Sequence, residues 1–409
     1  MNSAYGLAAC LFALAGTALH AQGGAAPSAD ASLTRIRAQA SDALAAIHNC
    51  ACQWSVDLDR WNHGKVEWRE RARIEMAFIG DREVWAWPGS GAFESRELTE
   101  VFRSGAMSTG NLAIILYNVF FADSATISRD GEETLAGART LRYRFNVPLL
   151  SSKMTLRMVN EELAVPYGGT FWADPATFAL RRMEIRAEAP GINVVGQVDY
   201  EQAALDGTSA YVPARVQMTA TGVIGDRSRF AMKRGACHRF TAASALSFGD
   251  VPAAAGPATP APRVASVPAG LSLNLKLAGE IDSENAAAGD PVTAWLDRAV
   301  EAGPLTLAKR SPITGRITHV HESWTPDRSV QLGLAFDTAG SPEAPLALHC
   351  DLTLRARPDT RGTLDTGGLA GRVAAPARGP DLIISDNTLR KTGGRLILER
   401  GFSLLCTTR

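Results

Sequence analysis

Apolar and polar residues alternate with a period of two along most of this chain. From Val66 to Phe78 the apolar set Val66, Trp68, Ala72, Ile74, Met76 and Phe78 is interleaved with Glu67, Arg69, Arg71, Arg73 and Glu75, which puts one kind of residue on each face of a sheet. The run is longer than an ordinary strand and predicts a large curved antiparallel sheet or open barrel. Before it, Cys52 to Trp61 alternates Trp54, Val56 and Leu58 with Ser55, Asp57 and Asp59, and Asn62-His63-Gly64-Lys65 turns the two runs into a hairpin. Further strands are predicted at Glu83 to Trp87, Leu141 to Val147, Thr155 to Val159, Gly169 to Ala173, Leu180 to Ala187, Val194 to Tyr200, Val212 to Thr221, Phe230 to Lys233 and Thr241 to Phe248. Their joints are short, as antiparallel neighbours need.

Helical spacing interrupts this pattern in two places. Leu33, Ile36, Ala40, Leu44 and Ile47 follow the possible caps Asp30 and Ser32 and predict an amphipathic helix before the first strand. Between Phe93 and Phe121, Leu98, Val101 and Phe102, then Leu112, Ile115, Leu116, Val119 and Phe120 after Ser108, predict two more helices that cover the sheet.

The stretch Asp250 to Pro268, DVPAAAGPATPAPRVASVP, is rich in Ala and Pro and reads as an extended linker. Beyond it, Leu271, Leu273, Leu275 and Leu277 alternate again, followed by runs at Val292 to Leu296, Ile313 to Val320, Val330 to Phe336, Leu346 to Leu354 and Leu396 to Leu405, with a poorly patterned loop over Gly362 to Gly379. The fold class expected is mainly β (α+β): a curved antiparallel half-barrel with covering helices over 32–249, a linker over 250–268, and a smaller all-β barrel or sandwich over 269–409. With 409 residues, 46% of them hydrophobic, the chain has material for two cores.

Charge narrows the partners. Lys+Arg 42 against Asp+Glu 42 leaves no net charge and no electrostatic footprint for nucleic acid. The stripe Arg69, Arg71 and Arg73, interleaved with Glu67, Glu70 and Glu75, reads as a solvated strand face. At the N-terminus an apolar run from Leu7 to Ala18 followed by small residues has the layout of a secretory signal peptide over 1–21, cleaved after Ala18 or Ala21. The expected location is secreted, periplasmic or outer-envelope associated. Cys10 precedes most of the apolar run, unlike the cysteine of a lipoprotein box. No later segment is apolar for the ~18 residues that a spanning helix needs.

Motifs for chemistry are sparse, and neither a cofactor nor a metal is expected. Ser385-Asp386-Asn387 and Lys391-Thr392-Gly393 match two signatures of serine β-lactamases, but no Lys has a Ser three residues before it, and the pair reads as turn chemistry. His319 and His321 share a strand face near its exposed end, with no third metal ligand evident by spacing. Asp57, Asp59 and Asp174 are carboxylates without a nucleophile placed beside them. In Gly168-Gly169-Thr170-Phe171-Trp172-Ala173-Asp174-Pro175-Ala176-Thr177, the Asp-Pro-x-Thr portion reads as a tight hairpin turn.

Element order and this hairpin resemble the half-barrel of periplasmic lipoprotein carriers of the LolA and LolB type over residues 32–248, and also resemble secreted proteins of acidobacteria in which one cysteine opens the first strand and another precedes the last. The second half is similar to small β-barrels of secreted envelope proteins. The resemblance implies a bridge between Cys52 and Cys237, with Cys50 as a competing position. Cys350 and Cys406 share the parity of their neighbouring leucines on the far side of the linker and are expected to pair with each other. The large curved sheet, with the apolar helices of Phe93 to Phe121 as a lid, leads to the expectation of a non-enzymatic protein that binds a lipid or acyl chain, free or on a lipoprotein, in the concave sheet, with Trp68, Met76, Trp85, Phe120 and Phe171 as its contacts. The alternative is a structural protein with a filled sheet that docks on an envelope partner.

Overall fold

The computed structural model describes residues 30–47, 50–79, 82–90, 92–98, 101–102, 112–157, 162–205, 208–239, 265–303, 305–341, 343–354 and 382–409. The leader, the Thr241 to Phe248 run, most of the linker and the Gly362 to Gly379 loop lie outside these residues. In the first half, helix α1 (Ala31–Ile47) precedes strands β1 (Cys50–Asn62), β2 (Lys65–Ile79) and β3 (Arg82–Ala86). Helix α2 (Leu112–Phe120) follows, then β4 (Thr126–Leu135), β5 (Ala138–Val147), the small hairpin β6 (Thr155–Arg157) and β7 (Glu162–Ala164), β8 (Tyr167–Ala173), β9 (Leu180–Ala189), β10 (Ile192–Leu205), β11 (Thr208–Gly222) and β12 (Arg227–Arg239).

These strands form one antiparallel sheet in the order β3-β2-β1-β12-β11-β10-β9-β8-β5-β4. Register aligns the apolar positions across it. One row runs Tyr143, Phe171, Met183, Val198, Val216, Met232, Val56 and Ala72 through eight successive strands, and each of these residues is at most 2% exposed. Because side chains alternate across a strand, such a row holds only if every strand keeps its register. Both helices pack on this face, α1 over β1, β9 and β11, and α2 against α1 and β5. Their buried residues Ile36, Ala40, Ile115, Leu116, Val119 and Phe120 join the same core.

The next row is Phe145, Gly169, Ile185, Gly196, Met218, Phe230 and Leu58, and it ends on Glu70. A Cβ on Gly169 would lie 1.9 Å from the Glu184 carbonyl oxygen and 3.0 Å from the Phe145 ring. Glycine is required there by the close approach of β9.

The second half contains β13 (Ser272–Leu277), β14 (Ile281–Asp282), β15 (Pro291–Leu296), β16 (Val300–Ala302), β17 (Leu305–Leu307), β18 (Pro312–Ser323), β19 (Ser329–Ala339) and β20 (Leu346–Ala347). It ends with β21 (Cys350–Leu354), β22 (Leu382–Ser385), β23 (Thr388–Thr392), β24 (Ile397–Leu398) and β25 (Ser403–Thr408). The order β21-β25-β13-β15-β18-β19-β23-β22 is closed by Asn387, which donates to the Cys350 carbonyl at 3.0 Å and accepts from the Leu352 amide at 2.6 Å. Asp386 and Asn387 turn β22 into β23 with φ of 48° and 58°, the left-handed pair that a tight hairpin demands. The Ser385-Asp386-Asn387 motif is thus a turn and a barrel clasp. The barrel has its own leucine-rich core, from Val267 to Cys406. Val267, at the end of the predicted linker, is buried in it and donates its amide to the Ala347 carbonyl.

The halves meet along one edge of β2. Residues 75–79 pair with β3, and Trp68, Glu70 and Arg69 pair with Ser323, His321 and Glu322 of β18. Between them the Arg73 amide donates to the Ala288 carbonyl, and the Ala288 amide to that of Arg71. Side chains follow the backbone: Arg71 Nη2 donates to Glu322 Oε1 at 2.9 Å, Arg73 pairs with Asp290, and His321 Nδ1 bonds Glu70 Oε1 at 2.9 Å. The arginine stripe expected on a solvated face is therefore a seam. Arg69 bonds Asp59 on the neighbouring β1, but the hydrogen-bond partners of Arg71 (Ser283 and Glu322) and of Arg73 (Asp290) lie more than 200 residues away in the sequence, so strand parity alone could not reveal them. For the same reason His321 is not at an exposed strand end: its side chain is 15% exposed and its ring lies 6.0 Å from that of Trp68.

Among the described residues the first of the two predicted covering helices does not form an α-helix. Residues 92–98 and 101–102 form turns tied to β3, with the Glu94 amide on the Trp85 carbonyl at 2.8 Å and the Trp85 indole N–H on the Arg96 carbonyl at 2.7 Å. The short apolar period there is satisfied by packing against a strand end, with Leu98 and Phe102 in the core. Cys52 bonds to Cys237 across β1 and β12 with Cα atoms 4.0 Å apart, and Cys350 to Cys406 across β21 and β25 at 5.4 Å. Cys50 is buried, its thiol donating to the Ala46 carbonyl.

Candidate functional site

Helix α1 starts at Asp30, whose Oδ1 accepts the Ser32 amide at 2.9 Å and whose Oδ2 accepts the Tyr143 hydroxyl at 2.7 Å. The cap thereby fixes the helix end to β5 on the inner face of the sheet. Burial, with the Asp30 bond second, pushes the Tyr143 hydroxyl up to about 12. An unfolded tyrosine ionises near 10, so between these values the unfolded chain loses a proton that the folded chain keeps, and stability must fall as pH rises through that window. A Tyr143→Phe variant is expected to lose this part of the alkaline slope, read as urea midpoints across the window; an unchanged slope would exclude the assignment.

Further along α1, beside the core-packed Leu44, small residues face β10 and β11. Ala40, Ala43 and Ala46 stand opposite Tyr200 of β10 and Ala210 and Tyr211 of β11 without filling the gap, and a cavity of about 370 Å³ remains. Leu116 of α2 and Thr177, Ala179 and Leu180 from the β8–β9 turn complete its walls. That turn is set by Asp174, whose Oδ1 accepts the Ala176 and Thr177 amides, each at 2.9 Å. Backbone bonds to Asp174 hold its carboxyl below the ordinary aspartate value despite the opposing effect of burial. The Asp-Pro-x-Thr stretch is structural, and it positions one wall of the cavity.

Ala40, Leu116, Ala179, Leu180 and Tyr200 are buried and form the base, while Gln39, Asp42, Thr177, Gln202 and Ser209 are exposed and form the mouth. Burial raises the Tyr200 hydroxyl above the usual phenol range, so it stays neutral. Among the described residues Asp42 is the sole charged side chain in the lining. An apolar base with a few polar groups at the mouth is the common make-up of small-ligand pockets.

The five contacts expected from the sequence lie on the same inner face but do not line this cavity. Phe120 of α2 meets Phe171 of β8 edge-on at 5.1 Å, and Phe171 stacks on Tyr143 at 5.1 Å with an interplanar angle of 9°. Met76 and Trp85 are cross-strand partners on β2 and β3, with Trp85 edge-on to Trp87. Trp68 sits apart, at the seam beside His321. The alanines and glutamines that line the cavity carry no signal in the sequence, because small residues on a helix read as propensity rather than as a gap. Among the described residues no group of three His, Cys, Asp or Glu is placed to hold a metal ion, and no helix is long and apolar enough to cross a membrane.

No protein-family model and no curated protein matches the chain. Among solved structures it is similar to a DUF1329 family protein from Desulfovibrio piger, at 12% identity and a TM-score of 0.29 over 52% of this chain and 94% of that one. It is also similar to an outer membrane lipoprotein-sorting protein domain from Vibrio parahaemolyticus, at 10% identity and 0.30 over 51% and 94%. Over about half of its length the chain is similar to structures of the LolA-like fold, a LolA superfamily protein from Nitrosomonas europaea among them at 10% identity and 0.26, covering 51% of this chain and 94% of that one.

Proposed function

We propose that the chain is an exported, non-catalytic binding protein of the cell envelope that holds the acyl part of a lipid or lipoprotein between α1, α2 and the sheet. The observation that carries this reading is the cavity of about 370 Å³ with an apolar base and an open polar mouth, within the range of small-ligand pockets. Two bridges, Cys52–Cys237 and Cys350–Cys406, support an oxidising compartment. Two separate apolar cores support a division into a binding unit over 32–249 and a barrel unit over 269–409. In this reading α2 is a lid, and its displacement extends ligand contact to Phe120 and Phe171, with Met76, Trp85 and Trp68 farther along the same face.

Native mass spectrometry of the exported chain tests it. The expected result is a fraction heavier by the mass of a lipid, which organic extraction removes. A single bare mass from membrane-containing cells would favour the second reading, an interaction protein with a filled sheet, for which the Phe120–Phe171–Tyr143 stack beneath α2 speaks.

A further inference from the structure

The inner face of β10 changes character at one point. Val194, Gly196 and Val198 on that face are buried and apolar, but past a register shift between Asp199 and Tyr200 it carries Tyr200 and Gln202. Gln202 is the cross-strand partner of Tyr211 on β11, and Tyr200, Gln202, Ser209 and Tyr211 all line the cavity beneath α1. A bulge of this kind re-aims side chains. Tyr200 is 4% exposed, and among the described residues nothing bonds its hydroxyl: burial alone acts on it.

A buried phenol without a partner is costly, whereas phenylalanine of the same shape would complete the apolar base. The hydroxyl belongs instead to the lining of an open cavity, where a ligand supplies the missing acceptor. At the mouth stand the amides of Gln39 and Gln202 and the hydroxyl of Ser209, groups that both donate and accept. Asp42 stands among them without a cation in the described lining, so an anionic head would meet repulsion and no compensation. Arg181, beside the mouth, is engaged by Asp174 at 3.4 Å and by the Tyr211 ring at 5.0 Å. We propose that the cavity seats an uncharged, hydroxyl-bearing acyl ester or amide: Tyr200 donates to its carbonyl oxygen, its head lies among Gln39, Gln202 and Ser209, and its hydrocarbon runs past Leu116 beneath α2. This rests on the acyl-binding reading and adds the class of head, to the exclusion of free fatty acids and anionic lipids.

Monolaurin and laurate share a hydrocarbon chain and differ in the head, and calorimetric titration of each into the full, delipidated chain, at a pH where laurate is ionised, tests the proposal. Monolaurin is expected to bind at least about tenfold more tightly, ~1.4 kcal/mol. Tyr200→Phe should weaken monolaurin about fivefold, the worth of one neutral hydrogen bond, and leave the urea midpoint of the ligand-free chain unchanged or higher. Asp42→Asn should at least about double the affinity for laurate, by removing an exposed like charge, and leave monolaurin unchanged. Laurate bound as tightly as monolaurin by the parent, a Tyr200→Phe chain that binds monolaurin like the parent or unfolds earlier without ligand, or an Asp42→Asn chain with unaltered laurate affinity would overturn the inference while leaving the acyl-binding reading standing. Binding of neither probe would overturn both.

Discussion

Gly169→Ala is expected to lower the stability of the chain by about 3 kcal/mol, the upper part of the range for forcing atoms into a packed interior. The added Cβ would be 1.9 Å from the Glu184 carbonyl oxygen, a main-chain atom that cannot rotate aside. To make room, β8 and β9 would have to separate at the row that runs Phe145, Gly169 and Ile185, next to the row that carries Phe171 and Met183. The same change at Gly279, where a Cβ would meet nothing within 4 Å, serves as the control and should be nearly neutral. Urea titration followed by tryptophan fluorescence measures both. If Gly169→Ala unfolds with the parent, the close approach of the two strands is wrong.

The second large effect is expected at the seam. Glu322 has a side chain 3% exposed, held by Arg71 at 2.9 Å and more distantly by Arg328 at 3.9 Å. Arg71→Met removes the nearer cation and also the donor to the Ser283 carbonyl, so a carboxylate remains in a dry place. Breaking one side of a buried pair costs on the order of 3 kcal/mol or more, whereas replacing both sides by apolar residues is often neutral. Arg71→Met is expected to destabilise by about that amount, and Arg71→Met with Glu322→Leu to recover most of it.

A nick tests the same contact. With a protease site introduced between residues 250 and 264, the two fragments of the parent chain should co-elute in native buffer, held by β2 on β18, while those of the Arg71→Met chain separate. Separation of the parent fragments would mean that the seam is too weak to join the halves.

How much of this was legible in the sequence depends on where a residue's partners lie. Trp54, Val56 and Leu58 against Ala72 and Ile74 could be read because alternation and a short turn bring neighbouring strands into register. Glu70, which breaks the apolar face of β2, could not, since its partner His321 is 251 residues away. Arg71 and Arg73 beside it looked like a solvated face because charge is ordinarily exposed, and only the barrel shows their partners Glu322 and Asp290. Phe120 and Phe171 were legible as apolar, though not as each other's contacts, and the cavity was not legible at all. It exists because Ala40, Ala43 and Ala46 are small, and an absence of volume leaves no mark in a hydropathy pattern.

The shared edge of β2 also bears on how the chain reaches this structure. Arg71 and Glu322 are separated by 251 residues, and at roughly 5–20 residues per second a ribosome needs on the order of 10–50 s to make the interval. For that time the first half can align its own strands while the middle of β2 still lacks Ala288 and β18, leaving a row of backbone amides and carbonyls open to any other strand. Contacts this distant also form slowly once the chain is complete, because the intervening segment must first be brought round. The strand that unites the two halves in the finished molecule is thus the place where an immature copy is most vulnerable to pairing with another, and a holding factor would protect the chain best by covering that edge.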